Sequence, residues 1–327
     1  MSAPRQLDKL RILTGNANPR LAADIAQHLG LSLSAMTVSQ FSDQEIWVKI
    51  EESVRGTDCF VIQPTCPPTS DTLMELLIIV DALKRASARR IVAVIPYYGY
   101  ARQEKKIKPR EPITAKLVAD LITVAGANRL LAVDLHTQSI QGFFNMPVDH
   151  LPAGPLLADY FLSRGLADSN TVVVSPDVGG VAAALAFAER LKAQLAIIAK
   201  RRPAANQAET IEVIGDLEGQ RAIMIDDMID TAGSIAAGAQ ALVARGAAEV
   251  YACATHAVLS GNAVQRINES PLREVILTDT IPLPPEKQSP KIHVLSVAPM
   301  LAEAICRVHD DASVSAMFAQ PYEDDRK

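Results

Sequence analysis

Short apolar runs and longer amphipathic segments take turns along the whole chain. Runs such as 58–63, 91–96 and 129–133 are rich in apolar residues, which predicts buried strands. The segments between them carry apolar residues three and four positions apart, for example at 70–88, which predicts helices with one buried face. The second half repeats this order from the run at 171–174 onward. Strands and helices that alternate in this way predict an α/β protein whose parallel sheets are covered by helices.

The repeated order also predicts two units of similar construction. The chain has 327 residues, of which 49% are apolar, so each half can bury a core of its own. Residues 148–152 have the composition of a hinge, and we therefore expect a first domain at 1–150 and a second at 151–299. The tail at 300–327 is expected to pack back on the first domain. Aromatic residues make up only 4% of the chain, which favours a parallel α/β arrangement over a β-sandwich.

Charge and cysteine content narrow the class of protein. The net charge is −5 with both signs spread along the chain, so no basic nucleic-acid surface is predicted. The N-terminal segment lacks an apolar signal core, and no uncharged apolar run approaches the ~20 residues that span a bilayer. A cytoplasmic protein that binds neither nucleic acid nor membrane is expected. The cysteines have no metal-type spacing and are expected to be free thiols: Cys59, Cys66, Cys253 and Cys306.

The stretch RAIMIDDMIDTAGS at 221–234 carries the strongest chemical signal. An apolar strand is followed by an acidic loop and then by a hydroxyl-rich turn that opens a helix. The N–H groups and dipole of such a helix favour an anion, and Thr231 and Ser234 add hydroxyl donors. The carboxylates of Asp226 and Asp227 can accept hydrogen bonds from sugar hydroxyls or bind Mg²⁺. We interpret the stretch as a pocket for a phosphorylated sugar; the alternative is a solvated acidic turn with an ordinary Asp or Thr helix cap.

Other polar groups come directly after predicted strands, at the edge where α/β proteins bind ligands. The aromatic and cationic run at 97–106 follows one strand, and a basic surface loop is its alternative interpretation. Asp134 and His136 share a face after the next strand and suit hydrated Mg²⁺ or phosphate; a histidine that caps a neighbour is the alternative. Asp177 precedes two glycines at a strand-to-helix turn, a pattern that suits diphosphate and Mg²⁺.

Two further polar segments are candidates for ligand contacts. Residues 37–50 predict a hairpin with Phe41, Asp43 and Glu45 near its tip, where a solvated turn is the alternative. Cations cluster at 200–202 before a polar, alanine-rich segment, which favours a flap that closes over an anion. A surface hairpin is the alternative for that second segment.

Five strings along the chain resemble, in the same order, those of the ribose-phosphate diphosphokinases, or phosphoribosyl pyrophosphate synthetases. They are FSDQE from Phe41, YYGYARQEKK from Tyr97, DLHTQSIQGFF from Asp134, SPDVGG from Ser175 and DDMIDTAGS from Asp226. The last is shared with phosphoribosyltransferases and marks a pocket, whereas the other four point to the synthetases. The resemblance covers nearly the whole chain. It implies an α/β fold of two similar phosphoribosyltransferase-like domains, each a mostly parallel sheet flanked by helices.

The resemblance also implies roles for individual residues. Ribose 5-phosphate would be bound by Arg202, Asp226, Asp227, Asp230, Thr231, Ala232, Gly233 and Ser234. The residues that bind ATP would be Phe41, Asp43, Gln44, Glu45, Arg102, Gln103 and His136. The first four lie in the hairpin and would be supplied by a neighbouring subunit. The flap cations that stabilise the transition state would be Lys200 and Arg202. The ligands of Mg²⁺ would be His136, Asp177 and, more weakly, Asp134.

The implied reaction transfers the diphosphoryl group of Mg-ATP to the 1-hydroxyl of ribose 5-phosphate, which yields 5-phosphoribosyl 1-diphosphate and AMP for nucleotide biosynthesis. Such a transfer needs positioning and charge neutralisation more than a covalent nucleophile. Mg²⁺ is the implied cofactor, and a homohexamer assembled from dimers is the implied assembly. The phosphate-activated class is also inhibited by ADP, through a regulatory site that 313–315 and Phe318 resemble in part.

The chain departs from the family pattern at three places. Gln44 replaces a glycine, Asn145 replaces the usual aspartate, and Arg201 and Pro203 add a cation and a proline to the flap.

A regulatory subunit without activity would be expected to lack the flap cations or the region of His136. A phosphoribosyltransferase needs only one such domain, and a dehydrogenase of the NAD type needs a G-x-G-x-x-G motif after its first strand. The synthetase interpretation is therefore preferred.

Overall fold

The computed structural model describes residues 7–201 and 210–318. The chain divides into two compact units, of which the first ends at Leu151 and resumes at Val297, and the second is Pro152–Ser296. Both are α/β units built on mostly parallel sheets, which confirms the predicted fold class. Which ligand each unit binds stays a prediction.

Strands and helices follow one another in the predicted alternation. The strands are β1 (Leu10–Thr14), β2 (Met36–Gln40), β3 (Ile46–Ile50), β4 (Asp58–Ile62), β5 (Arg90–Ile95), β6 (Arg129–Val133), β7 (Val148–Leu151), β8 (Thr171–Ser175), β9 (Gln194–Arg201), β10 (Thr210–Ile214), β11 (Arg221–Ile229), β12 (Glu249–Ala257), β13 (Val275–Thr278) and β14 (Ile292–Leu295). The helices are α1 (Pro19–His28), α2 (Thr69–Arg85), α3 (Thr114–Ala125), α4 (Gly154–Ser163), α5 (Val181–Leu191), α6 (Gly233–Ala244), α7 (Ala263–Glu269) and α8 (Ala298–His309). Among the described residues, no helix has the length and apolar character needed to cross a membrane.

The sheet of the first unit is wholly parallel, in the order β1-β4-β5-β6-β7. Its strands β4, β5 and β6 are almost entirely buried, because α2 and other helices cover the sheet. The antiparallel hairpin β2–β3 lies outside this sheet and alternates half-buried with exposed positions, as predicted. Since β5 and β6 are parallel neighbours, the loops that follow them leave from the same edge of the sheet.

The sheet of the second unit reverses its strand order. The order is β10-β9-β8-β11-β12-β13-β14, and among the described strands of this sheet β10 alone runs antiparallel to its neighbour. The chain moves outward from β8 to β9 and β10, and then returns to place β11 on the other side of β8. Open α/β sheets bind ligands in the crevice at the carboxyl ends of strands where such a reversal occurs.

Strand β11 is longer than predicted. The sequence predicts a loop at the acid pair Asp226 and Asp227, but β11 runs on through both residues to Ile229. β12 is equally long, and its ladder with β11 continues from Asp226 opposite Ala254 to Ile229 opposite Ala257. Pairing with β12 outweighs the low strand propensity of aspartate. The two acids are therefore held by a strand inside the sheet.

A buried carboxylate fastens the end of the chain to the first sheet. Asp58 opens β4, is fully buried, and accepts two hydrogen bonds from Arg89 at 2.8 and 2.6 Å. Arg90 donates to the same carboxylate at 2.6 Å, and Nδ1 of His309 lies 2.8 Å from it. Arg90 also pairs with Asp311 at 2.8 Å. Because His309 is the last residue of α8, this cluster ties the C-terminal helix to the amino end of β4.

Replacing Asp58 by Asn should lower the thermal unfolding midpoint. Arg89, Arg90 and His309 would then lose the carboxylate that they share, and removing one partner of a buried ion pair costs about 3 kcal/mol. The control is Asp81→Asn, which removes an exposed pair with Arg85 and should cost less than about 0.5 kcal/mol. Equal unfolding midpoints for the two variants, measured by differential scanning calorimetry, would contradict the anchoring role of Asp58.

The same carboxylate should limit stability in acid. Burial acts to raise the pKa of Asp58, but the hydrogen bonds from Arg89, Arg90 and His309 outweigh it and lower the pKa below the usual 3.8. Because the folded state has the lower pKa, its stabilisation is complete above about pH 4 and is lost as the pH falls through the folded-state pKa. Wild-type unfolding midpoints should therefore drop below about pH 4. This drop should be smaller in Asp58→Asn, and an equal drop in both proteins would assign it to other groups.

Candidate active site

Three carboxylates influence one another at the reversal of strand order in the second unit. Asp226 and Asp227 follow the apolar part of β11, and the N–H of Asp227 donates to Oδ1 of Asp226 at 2.8 Å. Burial, the negative charge of Asp227 and that of Asp177 raise the pKa of Asp226 to about 7. Asp177 follows β8, the strand beside β11. A ligand that brings hydroxyl donors or a cation would relieve this repulsion.

The turn after β8 is held by its own polar groups. The hydroxyl of the fully buried Ser175 donates to the carbonyl of Asp177 at 2.7 Å, and Oδ1 of Asp177 accepts from the N–H of Gly180 at 2.9 Å. A Cβ at Gly180 would lie 3.1 Å from the Ser175 hydroxyl, so a side chain there would crowd the turn. Ser175 was not among the predicted site residues. Its signal in the sequence is a small hydroxyl residue at the end of an apolar strand.

The turn at 230–234 presents backbone N–H groups at the start of α6. Ala232 has a φ of +59° and a ψ of +6°, a left-handed conformation that turns the chain sharply into the helix. It occupies the capping position and makes no side-chain cap hydrogen bond, so an ordinary Asp or Thr cap is not what forms here. The nearest neighbour of a Cβ at Gly233 would be the Thr231 hydroxyl at 3.7 Å, so there is space beside this backbone. An anion can therefore approach the N–H groups of the first helical turn.

In the first unit, the loop after β5 is held by a close backbone contact. The N–H of Gly99 donates to the Thr65 hydroxyl at 2.7 Å, and a Cβ at Gly99 would lie 2.3 Å from the Thr65 carbonyl oxygen. Only glycine fits such an approach. The loop then enters the short 3-10 turn Ala101–Gln103, which leaves the side chains of Arg102 and Gln103 exposed.

The loop after β6 brings two predicted residues to the same edge of the first sheet. The carboxylate of Asp134 lies 3.6 Å from Nε2 of His150, and His136 follows as an exposed side chain. Glu104 comes directly after the 3-10 turn. Burial acts to raise the pKa of Glu104, but the hydrogen bond from Lys105 and the positive charges of Lys105 and His136 lower it. The loops after β5 and β6 therefore lie close enough for their charges to interact.

Comparison with known proteins identifies the family to which the chain belongs. A model of the N-terminal domain of ribose phosphate pyrophosphokinase matches residues 10–126, and the phosphoribosyl synthetase-associated domain matches residues 201–319. The ribose-phosphate pyrophosphokinase of Caldanaerobacter subterraneus subsp. tengcongensis is 60% identical over 314 residues, which are 96% of this chain and 99% of that protein. The chain belongs to the ribose-phosphate pyrophosphokinase family. The Bacillus subtilis pyrophosphokinase is 55% identical over 95% of this chain and 97% of its own length.

A solved structure of this pyrophosphokinase family has the same fold. The phosphoribosylpyrophosphate synthetase from Mycobacterium smegmatis matches with a TM-score of 0.88 and 47% identity, over 93% of this chain and 100% of that one. The predicted resemblance, the α/β fold and the assignment as an enzyme of the phosphoribosyl pyrophosphate-forming class are confirmed. The roles of single residues stay predictions.

The hairpin tip between β2 and β3 exposes the residues that the pyrophosphokinase resemblance assigns to ATP. Phe41 is 54% exposed, and the carboxylate of Asp43 accepts a hydrogen bond from the N–H of Glu45 at 3.2 Å. Gln44 has a φ of +73°, a left-handed conformation that glycine adopts more easily. The glycine of the family pattern would adopt this backbone more easily than glutamine does.

The flap cations expected of a pyrophosphokinase lie outside the described part of the chain. Arg202 is not among the described residues, and neither is the side chain of Lys200. The strands that lead into and out of this segment pair antiparallel, with Thr210 opposite Arg201. The closing of this segment over an anion stays a prediction.

The metal ligands expected in the pyrophosphokinase family are spread over several strand ends. Within residues 7–201 and 210–318, no three His, Cys, Asp or Glu side chains are arranged to hold a metal ion. His136 and Asp134 belong to the first unit and Asp177 to the second. Mg²⁺ usually takes one or two carboxylates together with substrate phosphates. Which of these donors contact Mg²⁺ stays a prediction.

Replacing Asp226 by Asn should stabilise the ligand-free protein at neutral and alkaline pH. Because the pKa of Asp226 is raised from 3.8 to about 7, the folded state keeps a proton in this window that the unfolded state has lost. The wild type therefore loses stability as the pH rises through the window, whereas Asn does not titrate. From pH 4 to pH 8, the free energy of unfolding of the variant relative to that of wild type should increase by on the order of 2 kcal/mol, allowing for partial solvent exposure.

Thermal unfolding at pH 4 and pH 8 measures this gain. Asp159→Asn serves as the control, because Asp159 forms only an exposed pair with Arg190 at 2.8 Å. The control should show no gain that grows with pH. An Asp226→Asn protein with the same difference from wild type at both pH values would contradict the raised pKa.

Proposed function

We propose that the chain transfers the diphosphoryl group of Mg-ATP to the 1-hydroxyl of ribose 5-phosphate, forming 5-phosphoribosyl 1-diphosphate and AMP. The proposal rests on the crevice at the carboxyl ends of β8 and β11. There the carboxylates of Asp226 and Asp227 come just before the turn that presents backbone N–H groups at the start of α6. Carboxylates accept hydrogen bonds from sugar hydroxyls, and N–H groups donate to phosphate. One pocket thus offers matching partners to both parts of a sugar phosphate.

The acceptor sugar occupies the end of β11 and the turn that follows it. Asp226 and Asp227 accept hydrogen bonds from the ribose hydroxyls. The backbone of 231–234, together with the hydroxyls of Thr231 and Ser234, binds the 5-phosphate. Hydroxyl donors favour the ionised form of a carboxylate, so the bound sugar opposes the burial and repulsion that raise the pKa of Asp226.

The nucleotide binds to the first unit. Arg102, Gln103 and His136 follow β5 and β6 and contact the phosphates of ATP. The exposure of Phe41 supports a stacking role on adenine in a neighbouring subunit, because a ring that binds across subunits must be accessible. The hairpin residues that complete this site are Phe41, Asp43, Gln44 and Glu45.

The reaction requires positioned charge and no covalent intermediate. The 1-hydroxyl oxygen bonds to the β-phosphorus and loses its proton, while the bond from that phosphorus to the α-phosphate oxygen breaks and AMP leaves. Lys200, Arg202 and Arg102 supply positive charge to the phosphate oxygens. Mg²⁺ bound with the nucleotide would neutralise phosphate charge, and its protein ligands would be His136, Asp177 and, more weakly, Asp134.

Assembly and regulation are proposed from the family resemblance and from the end of the described chain. The hydroxyl oxygens of Ser313 and Ser315 lie 2.9 Å apart, and Arg307 donates to the Ser313 carbonyl at 3.0 Å. This polar turn before Phe318 is the part that resembles the regulatory site of the family. We infer a cytoplasmic homohexamer, assembled from dimers, that inorganic phosphate activates and ADP inhibits. Activity that ignores phosphate, or ADP inhibition that is purely competitive with ATP, would contradict the regulatory part.

Incubation of the chain with ribose 5-phosphate, ATP and Mg²⁺ tests the function directly. AMP and 5-phosphoribosyl 1-diphosphate should appear in equal amounts, because a diphosphoryl group leaves ATP as one piece. Chromatography of the nucleotides together with ³¹P NMR measures both products. ADP as the nucleotide product would indicate transfer of a single phosphoryl group and would overturn the proposal, as would a lack of turnover.

Replacing Lys200 by Ala should lower kcat by about 100-fold or more and change the KM of either substrate much less. A cation that acts mainly on the charge of the transition state affects the rate more than substrate binding. Steady-state kinetics with each substrate varied in turn gives the separate constants. Lys116→Ala is the control, since Lys116 forms only a partly exposed pair with Asp120 on α3. A Lys200→Ala enzyme with a raised KM and an unchanged kcat would assign this residue to binding instead.

A further inference from the structure

The turn proposed to bind the 5-phosphate is held from outside by the segment that follows β12. The backbone N–H of Ser260 donates to the carbonyl of Asp230 at 2.9 Å. Arg266, on the short helix α7, donates from a terminal guanidinium nitrogen to the carbonyl of Thr231 at 2.7 Å. Two successive carbonyls of the turn are therefore occupied by donors from a different part of the second unit.

We propose that Arg266 is a positioning residue for the diphosphokinase reaction, acting through the Thr231 carbonyl to aim backbone N–H groups at the 5-phosphate. This inference rests on the proposed function, because it assumes that the turn binds ribose 5-phosphate. A peptide unit is planar and trans, so its C=O and N–H groups point in opposite directions. With the Thr231 carbonyl fixed on Arg266, the N–H of Ala232 points away from α7. The bond from Ser260 to the Asp230 carbonyl orients the N–H of Thr231 in the same manner.

The conformation of Ala232 explains why the turn needs such support. Its φ of +59° is unfavourable for alanine, because the Cβ then approaches a backbone carbonyl oxygen. A flip of the peptide between Thr231 and Ala232 would relieve this strain, and it would also turn the Ala232 N–H away from the anion. The flip requires the Thr231 carbonyl to leave Arg266. The hydrogen bond from Arg266 therefore favours the binding conformation over the relaxed one.

The charge of Arg266 supports the same role. Within the part of the chain that the structure describes, Arg266 forms no ion pair with a carboxylate, and its exposed guanidinium lies on the outer side of the turn. A cation behind the turn strengthens the donor character of the peptide that it contacts and lowers the energy of a nearby anion. Four other arginines of the second unit pair with carboxylates, namely Arg164, Arg190, Arg221 and Arg273. Among the described residues of this unit, Arg245 forms no such pair either.

Steady-state kinetics of three variants tests the proposal. Arg266→Met keeps the length of the side chain and removes its donors and charge, and Arg266→Lys restores one charged donor. Arg273→Met is the matched control, because it removes a surface arginine that pairs with Glu249 in the same unit. The KM for ribose 5-phosphate, the KM for ATP, kcat and the thermal unfolding midpoint are measured for each protein.

Arg266→Met should raise the KM for ribose 5-phosphate about tenfold, the loss expected for weakened hydrogen bonds to a charged group. The KM for ATP and kcat should stay within about twofold, because the phosphate contacts are made before and during the transfer alike. Arg266→Lys should recover part of the loss, and Arg273→Met should match wild type. Isothermal titration with ribose 5-phosphate alone should give the same ranking of affinities.

Several outcomes would overturn the proposal. One is an unchanged KM for ribose 5-phosphate in Arg266→Met. Another is an equal rise in the KM values of both substrates together with a lower unfolding midpoint, because that pattern indicates a purely structural residue. If Arg266→Met does not fold, Arg266→Lys decides. A KM for ribose 5-phosphate equal to that of wild type contradicts the proposal, as does a rise in the KM values of both substrates. A rise in the KM for ribose 5-phosphate alone supports it. If the wild type is active, and Asp226→Asn raises the KM for ribose 5-phosphate but Arg266→Met does not, the role of Arg266 is contradicted and the proposed function is not. A wild type that forms no AMP would sink the proposed function first.

Discussion

The reversal of strand order between β8 and β11 is the constraint on which the candidate site depends. Connections leave these neighbouring strands in opposite directions, and the crevice at their carboxyl ends receives Asp177 from one strand and Asp226 from the other. Burial and, after it, the negative charges of Asp227 and Asp177 raise the pKa of Asp226. The ligand-free protein therefore carries an electrostatic cost at the point where hydroxyl donors and cations are expected to bind. Perturbed groups of this kind are typical of functional sites.

The two units share an architecture and differ in how they use it. In the first sheet the chain proceeds from β4 to β7 without reversing direction, and the predicted nucleotide residues follow β5 and β6. The loop there is fixed by the close approach of Gly99 to Thr65, whereas the turn in the second unit is fixed by donors to its carbonyls. If the predicted sites are right, each unit binds one substrate of the pyrophosphokinase reaction.

Much of the fold and part of the site could be predicted because their signals are local. Buried strands, the hairpin at 37–50 and the polar groups at strand ends each follow from short patterns. The extension of β11 through Asp226 could not be predicted, because it depends on the length of β12. The same holds for contacts between distant positions, such as Arg266 with Thr231 and His309 with Asp58, which are 35 and 251 residues apart. Such contacts form only after the elements have packed, and no local pattern marks them.

The proposed reaction depends on binding of the acceptor, ribose 5-phosphate, in the crevice between β8 and β11. A crystal structure of the chain with this sugar phosphate bound would show where the acceptor lies. The 5-phosphate should lie within hydrogen-bond distance of the backbone N–H groups at 232–234, and the ribose hydroxyls should contact Asp226 or Asp227. Ribose 5-phosphate bound at the ends of β5 and β6 instead, with the crevice empty, would contradict the account.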